Sequence, residues 1–359
     1  MKKLSDKEWK AFSVSDLFSI QLARGDNQLA SAECGQTPLV SAGTKSNGVI
    51  GFITNGDDGS LFTGDYITVD MFGQTFYQPF SFYAVSHGRL NMLSNDDIPA
   101  SAKSFIAVCT NVQNKDKYSY NQMCSSKRLA RQKLMLPVND DGEPDYNYME
   151  EYTRQTREAL LARYREYLEN RISDLGEEVV IPALNEKTWK SFRAGDLFDI
   201  YTGGDMIVSR LAYGNIPLIS HSEQNNGVVK YIKKQQDIKL FDCNKTLSLA
   251  DRGNFCANIQ SKNFYVGTRV KALVFKDKIK NPRNILKFIS ICINKQSVKF
   301  NYGNNCTGSV ASLLIMLPVT DDGNPDYEYM EQYAKNVMHR KYKQYMAFLE
   351  KKSQKQTNI

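Results

Sequence analysis

A duplication constrains this chain more than any other feature of its sequence. Trp9-Lys10-x-Phe12-x-x-x-Asp16-Leu17-Phe18-x-Ile20 recurs at a shift of 180 as Trp189-Lys190-x-Phe192-x-x-x-Asp196-Leu197-Phe198-x-Ile200. Pro38-Leu39-Val40-Ser41 returns as Pro217-Leu218-Ile219-Ser220, and Asn47-Gly48-Val49 as Asn226-Gly227-Val228. Asp70 has a mate in Asp251, and Phe82-Tyr83 one in Phe264-Tyr265. Residues 134–152 and 315–333 agree at 14 of 19 positions, both reading M-L-P-V-x-D-D-G-x-P-D-Y-x-Y-M-E-x-Y. A solenoid repeats every ~20–50 residues, so this period describes two tandem copies of one domain. A chain of 359 residues accommodates two domains of ordinary size.

Each copy ends in the same element. Pro137 and Pro318 close an apolar, strand-like run, and Asp-Asp-Gly supplies turn chemistry. Asp145 and Asp326 are placed to cap a helix, where a side-chain oxygen meets free backbone N–H groups. Residues 145–175 and 326–354 contain no proline or glycine, and Gly176 is a natural stop. At 1.5 Å per residue each stretch makes a helix of roughly 45 Å. Leu161, Tyr164, Leu168 and Leu175 in the first, and Met338, Tyr342, Tyr345 and Leu349 in the second, form stripes that must bury against something; each other's stripe is the obvious partner. The preceding segments are short β-branched and aromatic runs such as Tyr66–Val69, Phe82–Val85 and Val270–Phe275. The expected fold is therefore mixed α/β, with globules at residues 1–144 and 179–325 and long helices at 145–178 and 326–359 forming an antiparallel coiled coil. Glu177–Lys187, with Pro182, reads as a linker.

Composition narrows the function classes. No run of eighteen apolar residues exists, so no membrane span is expected. The start, Met1-Lys2-Lys3-Leu4-Ser5-Asp6, lacks the apolar core of a signal peptide. Seven cysteines, an odd number without a C-x-x-C pair, suit reduced thiols in a cytoplasm rather than a disulfide frame or a zinc site. Residues 1–180 hold 19 Lys+Arg against 24 Asp+Glu, and residues 181–359 hold 27 against 15. The basic half suits a polyanionic partner.

Catalytic patterns are missing. His87, His221 and His339 stand at no metal-ligand spacing, no G-x-S-x-G elbow occurs, and no G-x-G-x-x-G follows a strand. Gly43-Thr44-Lys45-Ser46-Asn47-Gly48 begins like a phosphate loop, but Val49 occupies the place of its lysine. Asn324-Pro325-Asp326-Tyr327 is one residue from the Asn-Pro-Pro-Tyr loop of amino-methyltransferases. It opens a helix, and its twin Glu143-Pro144-Asp145-Tyr146 lacks the asparagine, so capping is the better reading. Pro325-Asp326 with Glu350-x-Lys352 imitates a nuclease motif, yet the Glu and Lys fall on a helix with no counterpart in the first copy.

Several loops carry side chains able to read base edges. The first copy offers Thr44, Lys45, Ser46 and Asn47; the second offers His221, Ser222, Glu223, Gln224, Asn225 and Asn226 at the matching place. Asn and Gln can bond adenine through two contacts, and Lys or Arg can bond guanine. The same residues are also ordinary turn material. The framework repeats while the polar residues between differ, as two readers of different targets require. A second region holds Gln74, Tyr77 and Gln78 near Gly73, and Arg252, Asn254, Asn258, Gln260 and Lys262 near Gly253. A third sets Lys127, Arg128, Arg131 and Lys133 opposite Tyr302, Asn304 and Asn305, its basic members suited to phosphates or simply to a solvated face.

On these motifs the chain resembles the specificity subunits of type I restriction–modification systems and the related subunits of type IIB systems. The resemblance rests on the openings Trp9–Ile20 and Trp189–Ile200, the Pro-Leu-Val/Ile-Ser…Asn-Gly-Val cores and the Pro-Asp-Tyr-x-Tyr-Met-Glu segments, and covers residues 9 to about 350. It implies two target recognition domains, each reading half of a split site on double-stranded DNA. It also implies helices that space the domains and dock DNA methyltransferase and restriction subunits. The chain would then hold no cofactor, S-adenosylmethionine being expected on the partner methyltransferase. One departure is charge: residues 1–144 hold 14 basic and 15 acidic groups, so the first domain must gather its positive charge on one face or bind weakly alone. The expected protein is a non-catalytic, cytoplasmic DNA-specificity subunit. A single-chain DNA modification enzyme and a two-lobed protein- or glycan-binding adaptor are the competing readings.

Overall fold

A computed structural model describes residues 3–357 except 26, 57–60, 86–88, 223, 301, 302 and 307; the side chains of residue 252 and of 352–357 also fall outside the description. Glu223, Tyr302 and His87 thus lie outside the described residues. The chain divides into two compact units, Met1–Tyr164 and Arg165–Ile359. The division falls inside the central helix, so the carboxyl end of that helix belongs to the second unit.

The two units repeat one plan. The repeated openings form strands Trp9–Ser13 and Trp189–Arg193, each antiparallel to the closing apolar run, with Trp9 opposite Pro137 and Trp189 opposite Pro318. The first and last elements of each domain therefore fasten together. Each tryptophan stacks on a helix ring, Trp9 on Phe105 at 6.3 Å and Trp189 on Phe288 at 6.1 Å. Its indole N–H donates to a backbone carbonyl, that of Leu4 at 3.1 Å or Leu184 at 2.9 Å.

Between these fasteners lies a four-stranded antiparallel sheet. In the first unit the strands Ser19–Leu22, Asn91–Ser94, Tyr66–Val69 and Thr75–Gln78 lie side by side in that order. In the second, Phe198–Thr202, Lys271–Phe275, Thr246–Arg252 and Asn254–Ile259 do the same. Helix Ala100–Asn114 or Arg283–Asn294 covers one face, burying Phe105 and Ile106 or Phe288 and Ile289 among the sheet's aliphatic side chains. Asparagine clamps each helix to the edge strand: Asn111 receives the Thr75 N–H at 2.7 Å, and Asn294 receives that of Ala257 at 2.6 Å. A second sheet, of four strands in the first unit and three in the second, carries the Pro-Leu-Val/Ile-Ser strands, each pairing in parallel with the strand of the Phe-Tyr motif.

The long helices run Tyr146–Leu175 and Tyr327–Thr357, the first followed by Gly176 at φ 72°. Asp145 accepts the Tyr148 N–H at 2.9 Å and Asp326 that of Tyr329 at 3.0 Å, so the Pro-Asp motif is a cap. Within the second unit the chain doubles back on the C-terminal helix. Arg171 lies beside the Tyr342 ring, Glu178 faces Arg340 at 3.5 Å, and the Asn336 amide donates to the Val179 carbonyl at 2.7 Å. The Glu177–Lys187 connection is thus tied down at its start rather than hanging free.

The expected stripes need correction. Leu168 and Leu349 are buried and Met338, Tyr342 and Leu175 half-buried, but Tyr164 and Tyr345 are each 43% exposed. At 3.6 residues per turn a 3–4–7 pattern drifts, and tyrosine tolerates the wet margin of a stripe. Leu161 instead lines an apolar groove of the first unit with Trp9, Phe105 and Leu160. No described helix is long and apolar enough to cross a membrane.

Candidate nucleic-acid interface

Asn47 and Asn226 adopt left-handed backbone, φ 55° and 52°, a region asparagine tolerates better than most residues. Gly48 and Gly227 follow at φ 80° and 82°, where a Cβ would stand 2.8 Å from the Ser41 carbonyl oxygen or 2.9 Å from the Ile219 side chain. The repeated Asn-Gly is therefore a turn requirement. The variable residues before it stand outward, Thr44, Lys45 and Ser46 in the first unit and Gln224 and Asn225 in the second, and the shared Asn47 and Asn226 are exposed too. His221 and Ser222 are half-buried at the base of the second loop.

In the first unit two other segments converge beside this loop. The Gly43 N–H donates to the Asp70 carboxylate at 3.2 Å, joining the loop to the hairpin of Tyr66–Val69 and Thr75–Gln78. Asp70, 2% exposed, also accepts the N–H groups of Phe72 at 2.8 Å and Gln74 at 2.9 Å, shaping the hairpin tip. Burial pushes its carboxyl above the usual range and outweighs those amides. The Cys124 N–H donates to the Met71 carbonyl at 2.8 Å, and Tyr120 meets Phe72 edge-on at 5.0 Å, bringing the segment with Lys127 and Arg128 alongside.

The second unit repeats the convergence with a different tip. The Cys306 N–H donates to the Asp251 carbonyl at 3.3 Å, one residue earlier in the hairpin than the Cys124 contact. The hairpin turns directly at Gly253, φ 75°, leaving Arg252 opposite Asn254. Asp251, 1% exposed, has the Lys271 ammonium at 3.9 Å. Two equivalent aspartates thus support tips of different length and chemistry.

The structure sorts the expected readers. Lys45, Lys127, Arg128 and Lys262 are exposed, although an Arg128 N–H is committed to the Met123 carbonyl at 2.8 Å. Gln74 and Asn254 are half-buried at the tips. Tyr77 is not a free reader. Its hydroxyl donates to Asp65 at 2.9 Å, and burial with the neighbouring carboxylate raises its pKa. Asn304 spends a donor on the Lys299 carbonyl at 2.8 Å, and Lys133 reaches the Ser13 hydroxyl at 2.8 Å. The Arg252 side chain lies outside the described residues. Gln78 and Gln260 are 0% and 2% exposed, so the expectation that they meet DNA gives way: both point inward because they close hydrogen bonds within the domain.

Reading the sequence missed two supports. Lys103, wholly buried, pairs with Asp65 at 2.5 Å beneath Tyr77, and nothing in a lone lysine signals this. The asparagine clamp was findable, since Phe105-x5-Asn111 and Phe288-x5-Asn294 repeat at the same offset. Charge is lopsided between the domains: residues 179–325 carry 20 basic and 11 acidic groups against 14 and 15 in residues 1–144.

Comparisons with known proteins agree with this duplicated plan. The family model for the type I restriction modification DNA specificity domain matches twice, over residues 6–163 and 186–344. A curated relative, the type II restriction enzyme BgcI specificity subunit S.BcgI of Heyndrickxia coagulans, is 26% identical over 340 residues, covering 91% of this chain and 93% of its own. The crystal structure of a type I restriction–modification system S subunit from M. genitalium superposes with a TM-score of 0.50 at 12% identity, covering 98% of this chain and 94% of that one.

Proposed function

The chain belongs to the family of type I restriction modification DNA specificity domains, and from that premise we propose that its two units read the two halves of one interrupted DNA site. It is a DNA sequence-specificity subunit and not itself a catalyst. One observation carries the finer reading. The same framework twice presents an Asn-Gly loop and a hairpin tip, while the exposed loop residues ahead of the shared asparagine differ, Thr44 to Ser46 in one and Gln224 and Asn225 in the other, and the tip sequences differ as well. Identical scaffolds with unlike donors and acceptors suit unlike base sequences.

In this reading Thr44, Lys45, Asn47, Gln74, Gln224, Asn226, Arg252 and Asn254 reach base edges, while Lys127, Arg128 and Lys262 meet phosphates, with His221 and Asn304 backing the second loop and tip. Methylation and cleavage fall to methyltransferase and restriction subunits, which dock on the long helices; double-stranded DNA is the third partner. The antiparallel course of Arg171–Val179 along the C-terminal helix supports a helical spacer. The seven free thiols suit action in a reducing cytoplasm.

The test is to assemble the chain with its methyltransferase partner, treat a plasmid library, and map methylated bases. A logo of two unrelated specified blocks separated by a fixed unspecified gap is expected. Methylation without sequence preference, or a single uninterrupted block, would overturn the reading.

A further inference from the structure

The buried ends of the two recognition hairpins carry a duplicated hydrogen-bond relay that no catalytic or family motif explains. Gln78 donates from Nε2 to the Asn47 carbonyl at 2.9 Å and to the Thr68 hydroxyl at 3.2 Å. The Thr68 hydroxyl donates onward to the Phe76 carbonyl at 3.2 Å. In the second unit Gln260 donates from Nε2 to the Asn226 carbonyl at 2.8 Å and to the Ser248 hydroxyl at 2.9 Å, and that hydroxyl donates to the Asn258 carbonyl at 3.3 Å. All four side chains are at most 2% exposed.

We propose that Gln78 and Gln260 are positioning residues for DNA recognition, each locking its domain's exposed loop onto the recognition hairpin so that the two act as one reading head. The inference rests on the DNA-reading function proposed above. Asn47 and Asn226 are held in left-handed backbone, which costs energy for a residue with a Cβ, so an outside bond must favour that state. The anchor is a buried amide, one of whose two donors would lose its partner if the loop moved away, and this makes the docked position preferred. The relay passes through the interior of the hairpin and takes only the backbone carbonyls of Asn47 and Asn226, so loop and tip move together while the relay uses no side-chain group of the exposed loops. Thr68 and Ser248 differ by a methyl but keep the hydroxyl, the one group that can accept from glutamine and donate to the next strand.

The relay ties the relative placement of two exposed elements, so its loss should blur base preference in one half-site only. Gln78→Met keeps the length and removes both donors. In the complex with the methyltransferase partner, it should lower discrimination at the first half-site by roughly tenfold, the scale of one lost base contact. The second half-site and the salt dependence of binding to random DNA should stay unchanged. Gln260→Met should do the reverse. Thr68→Val removes only the hydroxyl and should give a weaker loss in the same half-site as Gln78→Met.

Each outcome decides. Blurring confined to one half-site, switching sides with the domain mutated, supports the positioning role. An unchanged logo overturns it, and so does a fall in total methylation with both half-sites intact, which is what a residue needed only for folding would produce. A variant with no cooperative melting transition counts as that second result. If the unaltered chain itself gives no two-block logo, the proposed function fails and the relay is not at issue.

Discussion

Lys187 and Asp326 sit 139 residues apart in sequence, yet the ammonium of one lies 2.8 Å from the carboxylate of the other, as Lys7 lies 2.6 Å from Asp145 in the first unit. The same carboxylates cap the long helices. The residue that caps each helix is therefore fastened to the lysine just ahead of the strand that opens each domain, and helix direction is set relative to the globule it serves.

Asp326 should make stability depend on acid. Burial acts to raise its pKa, but the Lys187 ammonium and the Tyr329 N–H outweigh it and hold the carboxyl below the usual range. A carboxyl depressed in the folded state contributes stability above its unfolded pKa of about 4 and loses it as pH falls through the folded value. Asp326→Asn should melt earlier than the parent at pH 7 by a gap that shrinks below about pH 4. A gap independent of pH from 7 to 3 would show that the ion pair contributes nothing.

The long helices offer a contrast between neighbours in one stripe. Leu168 and Leu349 are 1% and 5% exposed, and Tyr164 and Tyr345 are both 43% exposed. Leu168→Ala or Leu349→Ala should cost about 2–4 kcal/mol through cavity formation. Tyr164→Ala or Tyr345→Ala should cost less than about 1 kcal/mol. Equal losses in denaturant unfolding of all four would contradict this assignment of the buried face.

Specificity and affinity should separate in the second domain. Arg252→Ala should relax preference at one base pair, at roughly 1–3 kcal/mol for a lost two-bond contact. Lys262→Ala should weaken binding to all sequences and make the salt slope shallower by about one unit. A methylation logo beside a salt titration reads both. An unchanged logo for Arg252→Ala together with a lower melting temperature would leave a structural arginine.

The domains should also be exchangeable. Replacing residues 1–144 with the first domain of another family member should change one half-site and preserve the other. The four-stranded sheet and covering helix of each unit close on themselves through the Trp9 and Trp189 strands, so a swap leaves the second core intact. Loss of both half-sites at once would show that recognition is shared between domains.

Duplication, strands and helices were legible from the chain because each depends on near neighbours. Asp145 and Asp326 announce a cap, the breaker-free stretches announce helices, and Asn-Gly announces a left-handed turn whatever surrounds it. The readers were only partly legible. Gln78 and Tyr77 look like exposed polar residues in a sequence, and nothing local tells a glutamine that faces solvent from one that faces a threonine across a strand. The sequence by itself determined two copies of a domain, the capped helices and the uneven charge. Tertiary structure alone decided that Gln78 and Gln260 turn inward, that Tyr77 is spent on Asp65 above a buried Lys103, and that Tyr164 and Tyr345 stay wet. The direction of a polar side chain depends on which distant backbone groups are left needing a partner, and that need exists only once the strands have paired.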